Sequence, residues 1–298
     1  MRICATPAAL LLALSGLCAC GSDRYADPPG GEPEGAVDPL LTTAYPLTVL
    51  DDGGGAELCL GSVLESIPPQ CGGPRLVGWD WTEHEGRFEE VGGTRWGEFV
   101  VTGTYDGATM TPTEVVAATL VGEPEIDEPA GFTTPCPEPD GGWPVHEGAT
   151  QATVDRTFAA ASRLDGYADS WLDSTRDGRS PEQTDEDLAA GVGDVSGWTV
   201  NVRVSGDPAA AETELRELWR GALCVTGAEH GARELRRLLR EVRALPGLLV
   251  SGIGDQRVEI TVAHDDGRLQ RRLDEEHGPG MVAVESVLRP VSEPGRAG

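Results

Sequence analysis

The chain has 298 residues and a formal net charge of −27, from 50 Asp plus Glu against 23 bases. Every base is Arg; with no Lys, a Walker phosphate loop, a Schiff-base lysine and a Ser-x-x-Lys nucleophile are excluded. The acid excess argues against non-specific nucleic-acid binding, whose affinity comes from cations that neutralise phosphates.

Met1 and Arg2 precede an apolar run over residues 3–17 that is too short to span a bilayer as a helix, which marks an export signal. Leu17-Cys18-Ala19-Cys20 then resembles a bacterial lipobox, with small Ala19 before the modified cysteine. Cys18 fits less well, because bulky Leu17 would occupy the cleavage position. The resemblance implies a signal peptide over 1–20 and a lipidated Cys20 that anchors the mature chain on the extracellular face of the cell membrane. Two or more acyl chains suffice for stable anchoring. The alternative is a plain secretory signal with incidental cysteines. Residues 21–40, rich in Gly, Pro and acid, are expected to be a tether.

Four cysteines remain: Cys59, Cys71, Cys136 and Cys224. Outside the cytoplasm an even set indicates disulfides, with three connectivities open. The favoured pairing is Cys59 with Cys71, closing a short loop through Ile67-Pro68-Pro69, and Cys136 with Cys224, tying a linker to a strand. The short loop alone is worth roughly 3 kcal/mol on the chain-entropy model. Zinc is the alternative, but no Cys-x-x-Cys or paired-His spacing supports it.

Residues 41–121 contain short runs rich in Val, Thr and aromatics at 45–50, 56–64, 75–81, 95–105 and 108–121. The last two flank Asp106-Gly107, a strong hairpin signal. Phe99, Val101 and Tyr105 fall on one face of their run, with Thr102 and Thr104 on the other. This predicts a small antiparallel, β-barrel-like (OB-like) N-terminal domain. Residues 122–148 form a Pro-rich acidic linker, in which Cys136 and Trp143 predict a pinned portion.

The expected C-terminal α/β domain covers 149–298. A helix is predicted over 150–172, with Val154, Phe158, Ala161, Ala168 and Trp171 on one face. A flexible acidic loop is expected over 173–194, followed by a strand at 198–204. Asp207-Pro208 then gives a helix N-cap with Pro at the first helical position. Residues 223–226 form a strand, and 231–245 a helix with Leu235, Leu238, Leu239, Val242 and Leu245 on its buried face. A hairpin spans 248–252 and 257–263 across Gly254-Asp255. A helix over 266–276 ends at Gly278-Pro279, and a strand at 281–288 closes the sheet. From Leu223 the order strand, helix, strand, strand, helix, strand is that of a ferredoxin-like sandwich, one antiparallel sheet with helices on one face. The overall fold class is α+β.

No motif of acyl transfer, zinc proteolysis, dinucleotide binding or phosphate-loop chemistry is present, so no catalytic, cofactor or metal residue is assigned. His84-Glu85 and His146-Glu147 begin a zinc-protease pattern, but Phe88 and Thr150 replace the second His, which leaves exposed loop histidines. Asp173, Asp177 and Gly178 imitate part of a calcium loop, with Thr175 and Thr184 where ligands belong. Arg233, Arg236, Arg237, Arg240 and Arg243 share one helix with Glu234 and Glu241. They make either a face for an anionic lipid or a protein partner, or an ordinary solvated surface.

The strings Leu58-Cys59-Leu60-Gly61, Ile67-Pro68-Pro69-Gln70-Cys71-Gly72-Gly73-Pro74, Gly78-Trp79-Asp80-Trp81 and Val101-Thr102-Gly103-Thr104-Tyr105-Asp106-Gly107 resemble a family of uncharacterised lipoproteins of high-GC Gram-positive (actinobacterial) bacteria. So do Trp219-Arg220-Gly221-Ala222-Leu223-Cys224-Val225, Gly278-Pro279-Gly280 and Leu288-Arg289-Pro290-Val291. That family brings no assigned reaction. The C-terminal element order is also similar to pro-regions of secreted bacterial serine proteases, which implies an inhibitor or chaperone module acting in trans. The expectation is a non-catalytic envelope binding protein. It is held to the membrane at Cys20 and takes an envelope protein or glycan as partner, without cofactor or nucleic acid. The alternative is an envelope hydrolase using acidic residues, which requires a cleft with carboxyls of raised pKa.

Overall fold

A computed structural model describes residues 39–121, 133–175 and 195–291; the segment expected to be a signal peptide, with Cys20, the expected tether up to residue 38, and 176–194 of the expected acidic loop lie outside the described residues. The first strands are β1 (Leu41–Thr43), β2 (Leu47–Asp51), β3 (Glu57–Leu58), β4 (Arg75–Leu76), β5 (Glu89–Val91), β6 (Thr94–Tyr105) and β7 (Thr109–Ala117). The last strand of the chain, β14 (Leu288–Pro290), joins them. The sheet runs β14-β1-β6-β2-β3-β4-β7, and β7 pairs back onto β6, so that β6, β2, β3, β4 and β7 form a ring.

Strand β6 is the hub because its 12 residues are long enough to pair with β1, β2, β5 and β7 at different heights. Its alternation puts Phe99 and Val101 into a core with Val49, Leu58 and Met110, all fully buried. The β6–β7 hairpin turns at Asp106-Gly107 as the sequence signals. Gly107 adopts φ 97°, and the Asp106 carboxylate accepts from the amides of Ala108 (2.9 Å) and Thr109 (2.7 Å). The run expected over 75–81 is a strand only at Arg75–Leu76. It gives way to a 3-10 turn at Trp81–His84, capped by Asp80, which accepts from the Thr82 amide.

The C-terminal part repeats one unit. The first copy is α1 (Gln151–Ala161), β8 (Tyr167–Asp173), β9 (Thr199–Val204), α2 (Pro208–Leu215) and β10 (Leu223–Gly227). The second is α3 (Ala232–Val242), β11 (Leu248–Ile253), β12 (Val258–Val262), α4 (Arg268–His277) and β13 (Val282–Ser286). In each copy the first two strands are antiparallel, the third lies parallel to the second, and the second is central. Val200, Val202 and Val204 of β9 are fully buried and pack with Val154, Ala161, Leu215 and Trp219. Leu235, Leu238 and Val242 of α3 meet Val258, Ile260, Leu273 and Val282 in the second copy. The Asp207 cap forms as expected, its carboxylate accepting from Ala209 (2.9 Å) and Ala210 (3.3 Å).

Three expectations are corrected here. The helix predicted over 150–172 ends at Ala161, because Gly166 at φ 71° turns the chain into β8; Ala168 and Trp171 are strand residues. A Cβ on Gly166 would stand 2.7 Å from the Gly206 amide nitrogen, so the turn requires glycine. The single antiparallel sheet is replaced by two three-stranded sheets, each with a parallel pair, since β10 pairs with β9 and not with β12 or β13. Finally, residues 288–290 leave the C-terminal sheets, and Val287 and Leu288 complete the core of the ringed sheet.

The two copies are joined through Arg203 of β9. Its Nε donates to Asp169 Oδ1 (2.9 Å) in the first copy, and Nη1 donates to Asp255 Oδ1 (2.8 Å) in the β11–β12 turn. The guanidinium also lies 5.2 Å from the centre of the Trp171 ring. Linker residue Cys136 is disulfide-bonded to Cys224, and the His146 amide donates to Ser196 (3.1 Å), so this part of the linker is a strap on the first copy. By their contacts, residues Asp38–Gly298 make one unit holding both disulfides and all three apolar cores. That unit therefore has the means to fold without the residues before it.

Candidate functional site

A recess on the ringed sheet is built around the loop between β3 and β4. Cys59 and Leu60 root the loop in the core, at 1% and 6% exposure, and the Cys59–Cys71 disulfide closes it with a Cα–Cα distance of 5.7 Å. Inside the loop Leu64 and Gln70 form an antiparallel bridge (Leu64 N to Gln70 O, 2.9 Å), and the Ser66 hydroxyl donates to the Pro68 carbonyl (2.8 Å). These bonds turn the tip outward, leaving Val63, Leu64 and Ile67 exposed by 38%, 60% and 83%.

Facing the tip are Phe88, Trp96 of β6, Ala117 at the end of β7 and residues 118 and 119 beyond it; together they border a groove of about 760 Å³. Glu65, Glu89 and Glu98 border it with one base, Arg87. The ion pair beside it, Arg95–Glu90 (2.7 Å), uses none of these three acids, and none has an ion-pair partner among the described residues. The groove thus joins an apolar floor and tip to an unneutralised acidic rim. An exposed apolar surface bordered by polar groups marks an interaction site. Chemically it fits side chains that are apolar and cationic.

In a neighbouring recess that shares Arg87 with the groove, Trp79 and His84 stack with ring centres 4.5 Å apart, and both contact the buried Phe99. Burial holds the His84 pKa below its ordinary value despite nearby Glu83. His84 is therefore half-buried against aromatics. His146 likewise packs against Trp219 (5.0 Å), with Nδ1 accepting from the Arg220 amide (3.4 Å), so the expectation of two exposed loop histidines is corrected.

Asp173 begins the calcium-like pattern but is 3% exposed at the end of β8. Oδ1 accepts from the Thr175 hydroxyl (2.6 Å) and amide (2.9 Å), and Oδ2 from the Thr134 amide (2.7 Å). Burial raises its pKa, but these bonds outweigh burial and hold it below the ordinary 3.8. The carboxylate fastens the strap to the sheet. Asp177, Gly178 and Thr184 lie outside the described residues. Because folded Asp173 holds its proton less tightly than the unfolded chain does, its stabilisation is complete above about pH 4 and is lost as pH falls through the lower folded value. Asp173→Asn should cost about 1–2 kcal/mol at neutral pH, a gap that narrows in acid. Urea unfolding of both proteins at neutral pH and at pH 3 measures this; a gap independent of pH would contradict it.

The carboxyls with displaced pKa values among the described residues, Asp51, Asp80, Asp106 and Asp173, are all lowered. The raised carboxyl that a glycosidase-type acid needs is not among them. No group of three or more His, Cys, Asp or Glu among the described residues is placed to hold a metal ion. Both favoured cysteine pairs are at disulfide distance, the second with a Cα–Cα distance of 5.8 Å. Cys20 lies outside the described residues.

Sequence reasoning named Ile67 only as part of the disulfide loop and Phe88 only as the residue in place of a second His, and it gave no binding role to these two, to Leu64 or to Trp96. The available signal was Ile67 between a glutamate-serine pair and two prolines inside a cysteine-closed loop, where a β-branched apolar residue has no core to enter. Comparison with protein-family models, curated proteins and solved structures finds no match to this chain.

Proposed function

We propose that this chain is a non-catalytic binding protein of the cell envelope, lipid-anchored at Cys20 on the extracellular face of the membrane, whose groove receives a peptide segment of a partner protein. The observation that carries the binding role is the groove itself, with Ile67 83% and Leu64 60% exposed beside three unpaired glutamates. A segment mixing apolar residues with Lys or Arg matches both features, and the volume accommodates a few residues. The lipobox-like Leu17-Cys18-Ala19-Cys20 and the resemblance to actinobacterial lipoproteins support the anchor. The ring of β6, β2, β3, β4 and β7 supports an OB-like reading of the N-terminal part. The one-sided packing of helices on each small sheet supports an α/β-sandwich reading of the C-terminal part, its ferredoxin-like aspect limited to that layering.

Two measurements test the proposal. Intact mass of the membrane-extracted chain should show a diacylglyceryl Cys20 N-terminus; an unmodified cleavage product removes the anchor. Titration of the groove with mixed cationic and apolar peptides, followed by Trp fluorescence, should give saturable binding. Leu64→Ser with Ile67→Ser should weaken it roughly tenfold or more, with stability unchanged within about 0.5 kcal/mol because both side chains face solvent. Equal binding by the double variant would place the contact elsewhere.

A further inference from the structure

Exposed arginines without an acidic partner, such as Arg87, Arg163 and Arg220, lie scattered elsewhere among the described residues. Helix α3 and its C-cap residue gather five: Arg233, Arg236, Arg237 and Arg240 on the helix and Arg243 at its end. Only Arg237 reaches an acid, Glu241 at 3.8 Å; Glu234 is engaged by His230 (3.4 Å), and Arg243 reaches the Ser251 hydroxyl (3.5 Å). Arg233, Arg236, Arg240 and Arg243 have no acidic partner among the described residues.

The spacing makes this a surface feature. Positions 233, 236, 240 and 243 recur at i, i+3, i+7 and i+10, which places them on one stripe opposite the buried Leu235, Leu238 and Val242. Like charges three and four apart on a helix repel, so the isolated fold gains nothing from the arrangement. Glu234 and Glu241 do not interrupt the unpaired row. At the first turn the stripe opens onto a recess of about 240 Å³ where Arg233 and Arg236 meet Ser162, Tyr167 and Ser205. Asp165 and Glu234 also border this recess and limit how much negative charge it accepts.

We propose that the α3 stripe docks on an anionic lipid surface, with Arg233, Arg236, Arg240 and Arg243 contacting lipid phosphates. A straight row along one helix face meets a planar array of charges in a way that a compact anion does not. The groove, with its acidic rim of Glu65, Glu89 and Glu98, is disfavoured against the same surface. The proposal is independent of the groove and of the lipid on Cys20.

The test uses residues 38–298, with folding checked by circular dichroism, in co-sedimentation with vesicles of pure phosphatidylglycerol and of pure phosphatidylcholine. At low ionic strength several-fold more protein should sediment with the anionic vesicles, and salt should abolish the difference. Arg236→Glu with Arg240→Glu should return sedimentation to the phosphatidylcholine level, and Arg236→Gln with Arg240→Gln should fall between. Equal sedimentation on both lipids, or undiminished binding by the charge-reversed variant, overturns the proposal. A soluble inorganic polyphosphate that binds as tightly at equal phosphate concentration, with the same dependence on Arg236 and Arg240, overturns the membrane assignment in favour of a free polyanion.

Discussion

Replacing Cys136 and Cys224 together by alanine is expected to lower the free energy of unfolding by about 4–5 kcal/mol, the largest effect of any change considered for this fold. The two residues are 88 positions apart, so the crosslink removes a long loop from the unfolded ensemble. Cys59 and Cys71 are only 12 apart, and the same reasoning gives their removal about 3 kcal/mol. The longer crosslink also holds a strap. Thr134, Cys136 and His146 attach residues 133–149 to β8, β10 and the approach to β9. Beneath it the fully buried Thr199 and Asn201 leave Oγ1 and Oδ1 without partners, as do Trp171 Nε1 and Thr134 Oγ1. Releasing the strap hydrates these groups, which offsets part of the loss. Urea unfolding of the two double variants against the parent measures both effects. Equal costs for the two pairs would mean that loop length does not set the contribution.

Much of the fold was legible because local signals agreed with tertiary context. Asp106-Gly107 tolerates the turn it occupies, Asp207-Pro208 caps and starts α2, and the leucine spacing of α3 matches its burial. Failures came where local pattern and long-range pairing diverge. Ala168 and Trp171 continue a helical period by accident, and only Gly166 marks the break. The internal repeat escaped notice because its copies share element order and a glycine before the first strand, Gly166 and Gly247, but little side-chain identity. The return of Leu288 to the ringed sheet is a pairing with Thr43 across 245 positions of sequence, of which no local window holds a trace.

The candidate site was less legible than the fold for a physical reason. Apolar residues in a sequence are assigned to cores, and Ile67 or Leu64 looks like any other until its exposure is known. The disulfide that encloses them was anticipated; its consequence, a rigid loop that presents its apolar residues outward, was not. The α3 arginines show the opposite case. Their identity was plain in the sequence, and what the structure adds is that four of them, set along one face, have no acidic partner among the described residues.

Gly103→Ala should destabilise the ringed sheet by about 3 kcal/mol. Gly103 sits in β6 opposite Pro112 of β7, next to an irregularity in register between Thr102 and Gly103. A Cβ there would stand 2.1 Å from the Thr111 carbonyl oxygen and 2.9 Å from Pro112 Cα. Those are backbone atoms, so no rotamer change relieves the clash and β7 must move from β6. That is the contact through which β7 closes the ring, and Phe99, Val101 and Met110 pack beside it. Gly61→Ala is the matched control: a Cβ there meets nothing within 4 Å. Its φ is outside the left-handed region, so reduced entropy of the unfolded chain should leave that variant unchanged or about 0.4–1 kcal/mol more stable. Denaturant unfolding gives the two values, and the near-ultraviolet circular dichroism of Trp79 and Trp81, which contact Phe99, reports on the core. A Gly103→Ala protein as stable as the Gly61→Ala control would show that the β6–β7 approach is looser than described and that the ring does not depend on it.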